Sequence, residues 1–135
     1  MNYKLQPIYV DDLAELAVAK SEEKGNSILD AIGPETFTFR ELVEIMNREL
    51  GLHKKIIPVS PFTGFLASKL LGLFTKDELV TWPEIEGLMR NLLFTNSKPT
   101  GKTHFTQWVK ENAPNLGRRY ANEVKRRDNL LKEYL

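Results

Sequence analysis

Three polar side chains near the start of the chain, Gln6, Tyr9 and Asp12, are the first candidates for chemistry. They fall in Leu5-Gln-Pro-Ile-Tyr-Val-Asp-Asp12, a short β-branched run that breaks into Leu13-Ala-Glu-Leu-Ala-Val-Ala19 at an acidic pair. A strand that gives way to a helix in this manner lies near the edge where open α/β sheets bind ligands. On that reading the three residues line a substrate cleft. A structural role competes for each of them. Asp11 and Asp12 suit a helix cap, with Glu15 at the capping-box spacing from Asp12, and capping alone accounts for both. Tyr9 suits packing in a core or between domains. For Gln6 and Tyr9 the two readings stay open.

Other reactive residue types carry little. His53 follows a helix stop and His104 follows a polar loop, without partners at metal-ligand spacing, so no metal site is expected. Glu84 and Glu86, two apart on a helix, point in different directions and do not form an acid–base pair. Trp82 and Trp108 read as packing anchors. Gly101-Lys-Thr103 looks like the end of a phosphate loop, but Asn96 stands where that motif needs its first glycine. The sequence contains neither G-x-G-x-x-G nor G-x-x-G-x-x-G, and no Tyr-x-x-x-Lys. Dinucleotide binding needs glycines that let a pyrophosphate approach a helix N-terminus, so this chain alone is expected to bind no cofactor and to transfer no hydride.

Composition narrows the partners. With 19 basic and 18 acidic side chains the net charge is +1, and no overall field draws in nucleic acid or an anionic membrane. The basic runs around Arg118-Arg119 and Lys125-Arg-Arg127 read as a solvated helix face balanced by Glu123, Asp128 and Glu133. There is no cysteine, which removes disulfide frameworks and thiolate chemistry and fits a cytoplasmic location. Pro58, Pro61, Gly64, Ser68, Lys69 and Gly72 interrupt the longest apolar region, so no membrane span is expected.

The elements that must hold these residues alternate. Strands are expected at Ile8 to Val10, Ser27 to Ile32 and Lys55 to Val59. Helices are expected after Asp11 or Asp12, after the Thr38–Glu41 capping box and after Ser60-Pro61. This β-α-β-α-β-α order predicts short parallel strands with right-handed crossovers. A third box, Thr75–Glu78, and Pro83 predict a helix to about Leu93. A short helix around Thr106 to Asn112 follows, and a last one carries Leu116, Tyr120, Val124, Leu131 and Tyr134. The expectation is one helix-dominated α/β domain over residues 1–135.

Gln6-Pro-Ile-Tyr-Val-Asp-Asp-Leu-Ala14, Gly33-Pro-Glu-Thr-Phe-Thr-Phe-Arg-Glu-Leu42 and Ile56-Ile-Pro-Val59 together resemble the C-terminal portion of the extended and atypical short-chain dehydrogenase/reductases. The nearest branch is NAD(P)H-binding and NmrA-like, often described as NAD-dependent epimerase/dehydratase. The likeness covers residues 5–60 well and fades from Thr75 onward to a general similarity with helical tails. It implies that residues 1–60 close a Rossmann-like sheet and open the substrate lobe, and that residues 61–135 are a helical tail. The glycine fingerprint and any Tyr-x-x-x-Lys pair would then lie in an N-terminal half outside this chain, with NAD or NADP bound there.

One departure from the family pattern bears on substrate. Where nucleotide-sugar enzymes place an Arg-Asp pair and often a histidine, Leu5, Gln6 and Tyr9 stand here. Leucine cannot clamp a diphosphate, so an unidentified small molecule other than a classical nucleotide sugar is implied. Two roles follow: the substrate-side domain of an NAD(P)-dependent enzyme, inert alone, or a noncatalytic interaction module of the same fold. The partners expected are the missing Rossmann half and, through an exposed sheet edge, a second copy.

Overall fold

The computed structural model describes residues 3–118, 120, 122 and 124–126. Local capping chemistry sets most helix starts. The Thr38 hydroxyl accepts the Glu41 N–H at 3.2 Å while the Glu41 carboxylate accepts the Thr38 N–H at 2.7 Å. This reciprocal pair opens α2, Phe39–Glu49. The Ser60 hydroxyl accepts the Thr63 N–H at 3.1 Å and Pro61 fills the first position of α3, Pro61–Thr75. The Thr75–Glu78 box expected from the sequence does not form. Thr75 ends α3, its hydroxyl donates back to the Leu71 carbonyl at 3.1 Å, and Lys76 turns left-handed at φ 52°. The next helix, α4, is Trp82–Met89, where Glu84 accepts the Thr81 N–H at 2.8 Å. Helix α1 is Val10–Ser21 and α5 is Phe105–Asn112, closed by a 3-10 turn at Ala113–Asn115 that contains Pro114.

About half of the chain is helical, as the helix-dominated expectation has it, but the sheet differs. Among the described residues it consists of β1, Lys4–Leu5, and β2, Phe37–Thr38, paired antiparallel with Lys4 opposite Thr38 and Leu5 opposite Phe37. None of the three expected strands is one. Pro7 has no N–H to give a ladder, and Val10 already belongs to α1. The Ile32 carbonyl is taken by the Thr100 and Gly101 N–H groups, at 3.0 and 2.9 Å, instead of a neighbouring strand. Lys54 is held by Asn47, whose amide accepts its N–H and donates to its carbonyl at 2.9 Å each, and most of Lys55–Val59 is exposed.

Two compact units result: Met1–Ile56 with Leu88–Leu116, and Ile57–Gly87 with Gly117–Leu135. In the first, Val109 of α5 is fully buried, and Ile32 and Phe37 are nearly so. Phe105 meets Phe37 edge-on with ring centroids 5.5 Å apart. The second unit packs Phe65 of α3 against Trp82 at 5.6 Å. It also ties the end of α3 to Tyr120 and Asn122. The Asn122 amide donates to the Thr75 carbonyl at 3.1 Å, and the Tyr120 hydroxyl to Asp77 at 2.6 Å. Arg119, Arg127, Leu131 and Tyr134 of the expected last helix lie outside the described residues.

Candidate functional site

All three sequence candidates lie in the first unit, but each meets a different environment. Tyr9, extended at φ −69° and ψ 139°, occupies the cap position of α1 and makes no side-chain cap bond. Asp12 is therefore the third residue of the helix and is not its cap. It lies on the inner stripe Asp12, Leu16, Lys20 and is only 6% exposed. One carboxylate oxygen accepts the N–H groups of Thr103 at 2.7 Å and Lys102 at 2.8 Å; the other accepts the Thr103 hydroxyl at 3.0 Å. The Thr103 N–H foremost, with the Lys102 N–H and the Thr103 hydroxyl, holds the Asp12 carboxyl below its ordinary range against the opposing effect of burial. Gly101 makes the approach feasible, since a Cβ there would stand 2.9 Å from Ile8 and 3.2 Å from the Asp12 carboxylate. The segment that resembles a phosphate loop thus wraps an anion supplied by the chain itself.

Tyr9 forms one wall of a cleft of about 280 Å³ between Pro7–Val10 and the segment Thr103–Trp108. Its ring lies 6.1 Å from that of Trp108, tilted by 42°, and Phe105 adds a third aromatic surface. The phenol is hydrogen-bonded to Asp11, and the bond and the charge of that carboxylate raise its pKa.

Gln6 lies in a separate groove of about 610 Å³, with Leu5, Ile32, Leu42 and Leu93 among its walls. Its amide oxygen accepts the Thr95 N–H at 2.9 Å and its amide nitrogen donates to the Thr36 hydroxyl at 3.3 Å. At the rim the Asp30 carboxylate accepts the Thr95 hydroxyl at 2.9 Å and the Ser97 hydroxyl at 2.5 Å. These two hydroxyls hold the Asp30 carboxyl below its ordinary value. Asp12 bonds Lys102 and Thr103, and Thr103 also lines the Tyr9 cleft; neither Asp12 nor Gln6 lines that cleft.

Sequence reasoning missed Glu35. It accepts the Thr106 N–H at 2.9 Å and the Thr106 hydroxyl at 2.7 Å, and so caps α5 from a distant segment, with His104 at 3.6 Å. Burial pushes the Glu35 carboxyl up, but the Thr106 donors and His104 outweigh it and leave it low. The signals available were α5's lack of a capping side chain at His104 and an acidic residue after Gly33-Pro34; neither names the other. Among the described residues no three His, Asp or Glu side chains are grouped to hold a metal ion, and no helix is long and apolar enough to cross a membrane.

The cleft beside Tyr9 is lined mainly by apolar and aromatic side chains, with Tyr9 and Trp108 in contact with each other, while Gln6 and Asp12 direct their hydrogen bonds to the chain's own loops. Comparison with known family profiles, with curated proteins and with solved structures finds no match for this chain.

Proposed function

We propose that this chain is the substrate-side portion of a cytoplasmic NAD(P)-dependent epimerase, dehydratase or reductase of the extended or atypical short-chain dehydrogenase/reductase type. The dinucleotide site and the reacting groups belong to a Rossmann half outside it. The observation that carries this reading is an uncovered apolar layer in the first unit. Helix α1 turns Asp12, Leu16 and Lys20 inward and leaves Val10, Leu13 and Val18 exposed. The segment Ser27–Ile32 leaves Leu29 exposed and Ile28 wholly so, at 102%. A helix and an extended segment that are each apolar on the open side are what a doubly wound sheet presents to its other strands. With that half alongside, the exposed apolar side chains of α1 and of Ser27–Ile32 would be covered. Tyr9 then serves as a wall of the substrate cleft, and Gln6 and Asp12 position the loops that frame it.

The second reading, a noncatalytic interaction module, draws on the internal satisfaction of Gln6 and Asp12, which leaves them few bonds for a substrate. On that reading the uncovered layer receives a partner protein. Titration of NADH and NADPH, followed by their fluorescence, tests the assignment of the cofactor site. The isolated chain is expected to leave both spectra unchanged, and saturable binding by the isolated chain would overturn the proposal. A Tyr-x-x-x-Lys pair in the other half would favour the enzyme, and a glycine fingerprint without it the scaffold.

A further inference from the structure

Helix α3 divides into two faces. Gly64, Phe65, Ser68 and Gly72 are half-buried within the second unit, where a Cβ on Gly72 would stand 2.6 Å from the Asp77 carbonyl oxygen. The opposite face carries Phe62, Leu66, Leu70, Leu71, Leu73 and Phe74, all exposed, Phe74 at 86%. Thr63 and Ala67 complete it, so no charged side chain interrupts it. Lys69 stands at its margin and is occupied with Glu78 at 2.9 Å.

We infer that this face is the contact surface of a two-fold dimer of this chain. Phe62, Leu66, Leu70 and Phe74 recur every fourth residue, forming one continuous ridge of the helix surface. The ridge reads the same in both directions about Ser68: Phe, Leu, Leu, Phe. A second α3 laid antiparallel across a two-fold axis therefore sets Leu66 against Leu70 and Phe62 against Phe74, twice over. That is the self-complementarity an isologous interface requires. The exposed side chains of the face offer on the order of 700 Å² per copy, against the ~800 Å² per partner of a standard interface. A bilayer surface would accept the same apolar side chains but would impose no relation between residues 62 and 74. The inference uses a different surface from the uncovered α1 layer and does not depend on the cofactor assignment.

Sedimentation of the intact chain across a concentration series tests it. A monomer–dimer equilibrium is expected, with the dimer weakened at least tenfold by Leu66→Glu or by Leu70→Lys. The double substitution Leu66→Glu with Leu70→Lys is expected to restore dimer relative to either single change, because the antiparallel register sets each new charge opposite its counterpart. Circular dichroism controls for helix content, and Val18→Glu on α1 should leave the dimer intact. A wild-type chain that stays monomeric at high concentration would overturn the inference. So would dimers indifferent to the α3 changes, or a double variant no better than the singles. Co-sedimentation of a monomer with phosphatidylcholine vesicles would assign the face to a bilayer instead.

Discussion

Thr103 presents both its backbone N–H and its hydroxyl to the Asp12 carboxylate, at 2.7 and 3.0 Å, across 91 residues of chain. This pairing joins α1 to the loop that leads into α5 and so fixes the cleft between Tyr9 and Trp108. Asp12→Ala removes the acceptor for three donors at once. Asp12→Asn keeps the shape but turns an amide N–H₂ toward N–H groups. Both should lower Tm by several degrees, alanine more than asparagine, in thermal melts followed by circular dichroism.

The same carboxylate gives stability a pH dependence of known sign. Its pKa is lowered in the folded state, so its contribution is complete above the ordinary aspartate value and is lost as pH falls below it. Acid unfolding of Asp12→Asn should therefore be shallower than that of the wild type in that range, with the variant already weaker at neutral pH. Equal slopes would remove Asp12 from the set of groups that drive acid unfolding.

Glu35 stabilises α5 by supplying the cap that His104 does not. Glu35→Ala should cost about 1–2 kcal/mol in urea unfolding, the usual range for loss of a cap. Glu35→Gln should retain part of this, since its amide oxygen can still accept from Thr106. A loss below a few tenths of a kcal/mol in the alanine variant would mean the bond contributes nothing net.

Gly33 is required by space rather than by backbone angle. A Cβ there would lie 1.9 Å from the Pro7 carbonyl oxygen, a backbone atom that cannot swing aside. Gly33→Ala should destabilise by on the order of 3 kcal/mol or prevent folding. Gly101→Ala should be milder, because the nearest atom it meets belongs to the Ile8 side chain, which has rotamers to use. Chemical denaturation of the two variants side by side checks the order.

The phenol of Tyr9 reports on its neighbour. Asp11 raises its pKa through a hydrogen bond and through its charge. Asp11→Asn should therefore move the Tyr9 titration down toward the ordinary tyrosine value. Ultraviolet difference titration against a Tyr9→Phe reference isolates the signal.

Much of the local structure was legible in the sequence, and the long-range part was not. The Thr38–Glu41 and Ser60–Thr63 caps appear where the residue types place them, because a cap is a local bond between residues three apart. Thr75–Glu78 has an equivalent pattern but closes no cap, because the left-handed turn at Lys76 ends α3 there. Strand pairing went unread for a related reason. Ile8–Val10 and Ser27–Ile32 have strand composition, but a strand needs a partner, and here the loop Thr100–Gly101 takes the Ile32 carbonyl. Asp12 was identified as important and given the wrong local role; no periodicity links it to Thr103. The return of Leu88–Leu116 to the first unit was likewise invisible, since it rests on pairs such as Gln6 with Thr95 and Glu35 with Thr106.

The most direct test of the proposed function is to read the coding sequence in frame ahead of the Met1 codon. The proposal predicts an extension of roughly one more domain length, carrying a glycine fingerprint between a strand and a helix. A stop codon immediately ahead of Met1 would contradict it and leave the noncatalytic interaction module as the reading to pursue.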